Sequence, residues 1–145
     1  MSRFRATASE LILPFWSAIR AQAYAAVGRA AEGLEAVNEA LAVVQRTGER
    51  HAEAELHRIR GELLSMTGGT DDAIEAAFRQ ALDTAVAQDA RGWALRAATS
   101  QYRHLSAQGR VGEARSILAA ARAQLRDSGD EPDIQKADLL LAAAN

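Results

Sequence analysis

The sequence predicts an all-α protein built from helical hairpins that repeat along the chain, and three observations carry that prediction. The composition is dominated by Ala, Leu, Arg and Glu, side chains that lose little freedom in a helix, and the chain holds only 2 prolines. Apolar residues recur at helical spacing rather than alternating as they do in a strand. Gly28, Gly68 and Gly109 punctuate the chain at intervals of 40 and 41 residues, and Ala21 with Gly61, Ile19 with Ile59, and Trp16 with Leu56 are each 40 apart. A simple bundle has no reason to return one residue class to one place at a fixed interval, so a stack of hairpins is favoured over an up-down bundle.

The elements follow in order. Residues Met1 to Ser9 are short, polar and basic, and they match the end of a helix and the loop after it. Arg5-Ala6-Thr7-Ala8 stands before the first full helix as Arg46-Thr47-Gly48-Glu49 stands before the third. The chain is therefore expected to open inside a repeat, as a fragment or a module that docks onto something before it. The first complete helix is expected over Leu11 to Val27, with Pro14 in its first turn, where a missing N–H is tolerated, and Trp16, Ile19, Ala23 and Val27 at helical spacing. Gly28 ends it. Leu34, Val37, Ala40, Leu41 and Val44 mark the inner stripe of a second helix running to Arg46, closed by Gly48 as a left-handed cap.

His51 to Met66 form the third helix, with Leu56, Ile59 and Leu63 inward and Gly68-Gly69 as its stop. Thr70-Asp71-Asp72 opens the fourth with a capping side chain and acidic groups at the positive end of the helix dipole; Ile74, Phe78 and Ala81 share one face. The fifth runs from Gly92 to Ala107 with Trp93, Leu95, Ala98, Tyr102 and Leu105, and Gly109 breaks it. The sixth, Val111 to Leu125, carries Ala114, Ile117, Leu118 and Ala121. Asp127-Ser128-Gly129-Asp130 reads as a loop, and Pro132 opens a last helix with Ile134, Ala137 and Leu141. The grouping is one domain: residues 1–10 as the end of a preceding repeat, then repeats over 11–46, 50–88 and 91–126 and a capping helix over 131–144.

Length and composition narrow the function classes. A chain of 145 residues makes one domain and is short for a two-domain enzyme. A net charge of -2 and a pI near 5.9 supply no broad field for nucleic acid or an anionic membrane, although a local basic patch remains open. The absence of cysteine removes disulfides, thiolate zinc sites and thiol nucleophiles together, and fits a cytoplasmic location. Arg3, Arg5, the apolar run Leu11 to Trp16 and Ala21-Gln22-Ala23 imitate a signal peptide. Glu10 and Arg20 bracket that run too closely for a secretory core, however, and an amphipathic helix accounts for the same residues. No stretch approaches the roughly 18 apolar residues of a membrane span.

On these residues the chain resembles the tetratricopeptide repeat family. Repeat one supplies Ala21, Tyr24, Gly28, Gly33, Val37 and Ala40. Repeat two supplies Gly61, Leu64, Gly68, Ile74, Phe78 and Ala81, and repeat three Leu105, Gly109, Ala114, Leu118 and Ala121. Tyr102 departs from the pattern, standing where a small residue is expected, so close packing of that hairpin is in question. The period also exceeds the roughly 34 residues of the standard unit. A narrower likeness covers nearly the whole chain. ELHRIRGELL (Glu55 to Leu64), AFRQALDTA (Ala77 to Ala85), ALRAATS (Ala94 to Ser100), QGRVGEARSIL (Gln108 to Leu118) and the terminal PDIQKADLLL look like the C-terminal repeats of large bacterial regulators. These include MalT-like signal-transduction ATPases and related class III adenylate cyclase fusions. The resemblance implies a right-handed solenoid that binds a ligand or partner and controls an upstream nucleotide switch. The phosphate-binding G-x-x-x-x-G-K-[ST] loop is missing, so the family's ATP and DNA activities do not carry over.

In such a stack the first helix of each hairpin lines the concave side. Register from the matched small residues points Gln22, Glu55, Arg58, Glu62, Arg96, Thr99 and Arg103 into that groove. The three arginines suit a carboxylate or phosphate, and Glu55 and Glu62 suit basic groups; the alternative is that they pair with one another across neighbouring helices. The Lys and Asn pattern by which some family members clamp a terminal carboxylate is missing. His51 with Glu55, and Glu53 with His57, have the four-residue spacing of a metal pair, but no third ligand is indicated and solvated helix surface is the better account. Serine, histidine and aspartate occur without a signature that orients them as a triad. Trp16, Trp93, Tyr24 and Phe78 lie on apolar stripes and read as core.

The expectation is a non-catalytic scaffold, without cofactor or metal, that binds a peptide or protein on its concave face; the alternative is a small-molecule sensor. A cleft bringing His104 or His57 within hydrogen-bond reach of a carboxylate and a hydroxyl would reopen an enzyme reading. Leu11, Phe15 and Trp16, at the open end of the stack, are expected to drive self-association.

Overall fold

The computed structural model of the chain describes the backbone of residues 2–125 and 131–143, and the side chains of that set from residue 14 onward. Among the described residues the fold is all-α: α1 (Ser2–Ala26), α2 (Ala30–Thr47), α3 (Glu53–Met66), α4 (Asp71–Ala87), α5 (Arg91–Ala107), α6 (Val111–Ala123) and α7 (Pro132–Ala143). No described helix is long and apolar enough to cross a membrane. The expected loop over residues 127–130 lies outside the described residues.

The turns explain the spacing of the glycines. Gly28, Gly68 and Gly109 have φ of 78°, 77° and 79°, in the left-handed region where a Cβ is disfavoured. Each is followed by a backbone N–H that reaches back across the turn. Arg29 donates to the Tyr24 carbonyl at 2.8 Å, Gly69 to Leu64 at 2.8 Å and Arg110 to Leu105 at 3.0 Å. Gly48 caps α2 as expected, its N–H bonding the Val44 carbonyl. At the start of α4 the Thr70 hydroxyl accepts from the Ala73 N–H at 3.2 Å, which satisfies one of the donors a helix N-terminus leaves open.

Consecutive helices pack against each other, and α1 touches α3, α3 touches α5, and α5 touches α7. The odd-numbered helices therefore form a row, which the even-numbered helices back. Val37, Val44, Leu56, Ile59 and Leu63 make one buried cluster, and Leu95, Leu105, Leu118 and Ile134 anchor another toward the C-terminus.

Two expectations for α1 are corrected. The helix is continuous from Ser2, so residues 2–9 are not a loop and Pro14 sits inside the helix rather than in its first turn. This stretch contains no glycine or proline before Pro14 to stop propagation, and the fully buried Pro14 ring gains packing where it forfeits a hydrogen bond. The inward stripe also differs. Pro14, Ser17, Ala18 and Ala21 are buried, whereas Trp16, Ile19 and Val27 are 61%, 44% and 68% exposed. Trp16 and Ile19 occupy the register of Leu56 and Ile59, which are buried because α3 has α1 on one side and α5 on the other. Among the described residues α1 has a row neighbour on one side only.

Tyr102 does not prevent close packing of its hairpin. The α5–α6 hairpin packs despite it, and the buried Tyr102 reaches α7, its hydroxyl donating to the Leu140 carbonyl at 3.3 Å. Its size serves the contact between hairpin and last helix.

Candidate functional site

On α3, Glu55, Arg58 and Glu62 are three and four residues apart, which puts them on one helix face. On α5, Arg96, Thr99, Ser100 and Arg103 share a face by the same spacing, and Asp133 and Lys136 lie in the first turns of α7. Because the odd-numbered helices are adjacent, these three faces meet.

Arg58 is the centre. Its guanidinium grips Glu55 with two bonds, Nε to Oε2 at 2.8 Å and Nη2 to Oε1 at 2.7 Å, and Nη1 reaches Glu62 Oε1 at 2.6 Å. Across the helix contact, Nη1 also bonds the Ser100 hydroxyl at 3.3 Å, and that hydroxyl donates to Glu62 Oε1 at 3.0 Å. Glu55 Oε1 takes a second cation, Arg96 Nη1 at 2.8 Å, and Arg96 Nε lies 3.6 Å from Asp133 Oδ2. Glu55 and Arg58 are both buried. Burial opposes the charge on Arg58, but the Glu55 hydrogen bonds and the carboxylates of Glu55, Glu62 and Asp133 outweigh it and hold its pKa above the ordinary arginine value. The chain of ion pairs thus runs α3 to α5 to α7.

Three hollows open along this face. Phe15, Ala18, Ile19 and Gln22 of α1, Ala52, Glu55 and Ile59 beside α3, and Trp93 and Arg96 of α5 enclose about 180 Å³. Arg58, Arg96, Thr99, Ser100, Arg103, Asp133 and Lys136 line a smaller hollow of about 70 Å³ between α3, α5 and α7. Glu62, Ser65, Phe78, Ser100, Arg103, His104 and Ala107 line a third, of about 240 Å³. Every side chain expected in the groove lines at least one of them: Gln22, Glu55 and Arg96 in the first, Arg58, Arg96, Thr99 and Arg103 in the second, Glu62 and Arg103 in the third.

Their states are not alike. Glu55, Arg58, Glu62 and Arg96 pair with one another, so their charge is largely satisfied within the protein. Buried Thr99 spends its hydroxyl proton on the Leu95 carbonyl at 2.8 Å. Arg103 and Lys136 are exposed and form no ion pair with a described residue. Ser100, Asp133 and Lys136 belong to the site although the sequence did not mark them, and Trp93, expected in the core, is partly buried and lines the first hollow. The 41-residue offset from Gly68 to Gly109 maps Ser100 onto Ile59, a core position, so the repeat register does not point to it. Asp133 and Lys136 had no repeat partner to align with.

His104 Nε2 lies 3.8 Å from Asp71 Oδ1 and His57 Nε2 lies 3.8 Å from Glu53 Oε1, beyond hydrogen-bond length. His51 sits against the Trp93 ring, 6.2 Å between centroids. Among the described residues no three His, Cys, Asp or Glu side chains gather to hold a metal. Leu11 lies outside the described side chains. Phe15 and Trp16 are exposed, 6.2 Å apart and edge to face.

Fold and site together define an all-α protein with an ion-paired polar face along its row of odd-numbered helices. No family model matches the chain. No solved structure matches it. An uncharacterized protein of Rhizobium meliloti (strain 1021) is 34% identical over 85 residues, a match covering 59% of this chain and 8% of that protein. The chain thus matches less than a tenth of that relative's length.

Proposed function

We propose that this chain is a non-catalytic interaction module, a tetratricopeptide-like stack of three helical hairpins with α7 as its cap, that binds a peptide or protein along the face of α1, α3, α5 and α7. The observation that carries this reading is the run of open hollows along that face, lined in part by two cations, Arg103 and Lys136, that form no ion pair with a described residue. The shared turn geometry at Gly28, Gly68 and Gly109 supports the repeat architecture, as does the close seat of the Phe78 ring on Gly61. The resemblance to the repeat regions of bacterial regulators, and a match that fills a small part of a long relative, support a regulatory module of a bacterial cytoplasmic protein. The hollows are open rather than closed, which favours an extended partner over a small effector. Exposed Phe15 and Trp16 offer a second contact, to another copy of the chain.

The test is capture from the source cell with wild type beside an Arg103→Ala, Lys136→Ala variant, followed by hydrogen exchange on the complex. A specific partner lost by the variant, with protection on the inner faces of α1, α3, α5 and α7, is expected. Identical captured sets, or protection on α2, α4 and α6 instead, would overturn the reading.

A further inference from the structure

The first and second hollows are chemically different and share a wall. Phe15, Ala18, Ile19, Ala52, Ile59 and Trp93 give the first a mostly apolar lining. The second is lined by polar side chains, four of them cationic, with Asp133 as its one acid. Arg96 lines both. Within the second, Arg58 is held by Glu55 and Glu62, and Arg96 by Glu55, but Arg103 and Lys136 carry charges that no described carboxylate answers. An occupant that spans both hollows gains by burying apolar side chains at one end and presenting negative charge at the other.

We propose that the partner segment is a peptide that sets large apolar side chains into the hollow between α1, α3 and α5 and acidic side chains against Arg103 and Lys136. This rests on the binding face proposed above and adds to it a partner chemistry and a direction along the row. The acidic groups are side-chain carboxylates within the segment. The apolar end orders the segment, and the two exposed cations select its charge, because a basic residue there would meet like charge that no described carboxylate pairs with.

The probe is a random peptide library, selected in parallel on wild type and on an Arg103→Glu, Lys136→Glu variant, in which only exposed side chains change. Wild type is expected to enrich Asp or Glu at a fixed spacing from Leu, Phe or Trp. The variant is expected to lose the acidic preference and to enrich Lys or Arg at those places. A wild-type-selected peptide should bind the variant about tenfold or more weakly. It should also lose affinity for an Ile19→Asp protein. Peptides enriched without acidic residues, or acidic peptides bound equally by the reversed variant, would overturn the charge assignment while leaving the binding face standing. Enrichment of no peptide at all would overturn both, and displacement of a selected peptide by inorganic phosphate alone, at equal affinity, would assign the cations to free anions instead.

Discussion

The ring of Phe78 lies so close over Gly61 that a Cβ at that position would stand 2.5 Å from its Cε1 atom. Phe78 is on α4 and buried, so the contact sets how closely the two helices of the second hairpin approach. The glycine is there for proximity, at a place where its helix propensity is a liability.

Gly61→Ala is accordingly expected to destabilise the protein. The methyl gains about 1 kcal/mol of helix propensity, but forcing the ring aside costs about 1–3 kcal/mol, leaving a net loss. Adding Phe78→Leu should recover part of it, since the two effects share one contact. Chemical denaturation of the single and double variants decides this; additive losses would mean that the ring is not what the methyl meets.

Glu55 holds both Arg58 and Arg96, and its removal leaves a buried guanidinium short of its main partner. Glu55→Ala should cost about 3 kcal/mol or more. Replacing the pair together, Glu55→Leu with Arg58→Met, should cost less than the single change, because an apolar pair needs no compensation in a buried place. Urea midpoints for the three proteins test the ordering. If the single change proves the mildest, the network contributes little to folding.

His57 supplies a pH dependence whose sign follows from its burial. Desolvation lowers its pKa below the ordinary 6.5, Arg60 and Arg50 lower it further, and the Glu53 carboxylate opposes them without reversing the shift. The folded protein then binds this proton more weakly than the unfolded chain does. Its contribution is fully present above pH 6.5 and is lost as pH falls from there toward the lowered folded value. Thermal melts of wild type should drop through that window more steeply than those of His57→Gln. Parallel curves for the two proteins would exclude the histidine as the cause.

Phe15 and Trp16 stand exposed on α1, and Trp16 shares the register of Leu56 on α3, which is buried. Each large apolar side chain buried between copies contributes about 1.5–3 kcal/mol. Sedimentation velocity should show concentration-dependent association that a Phe15→Ser, Trp16→Ser protein lacks. A wild type that stays monomeric at the highest concentration would remove self-association from the proposal.

Much of the fold was legible in the residues because local chemistry decides it. Gly28, Gly68 and Gly109 mark hairpin turns through one property, tolerance of positive φ, and that property needs no neighbour. Thr70 caps α4 through its own hydroxyl. The groove was half legible: helical spacing placed Arg58 beside Glu55 and Glu62 on one helix face, but it left open whether they answer a partner or each other. The ion pair with Arg96 and the hydrogen bonds of Ser100 come from the next helix, and spacing along α3 carries no information about them.

What the sequence by itself determined is the order of helices from α2 onward, the turns at Gly28, Gly48, Gly68 and Gly109, and the 40-residue spacing of Ala21 and Gly61. Each follows from backbone preference and apolar period. What only the tertiary structure decided is which equivalent positions are covered. Trp16 and Leu56 share a register, yet one is exposed and the other buried, because burial depends on the helices to either side. The charges divide in the same way: Arg58 is consumed by its neighbours, while Arg103 on the adjacent helix faces an open hollow.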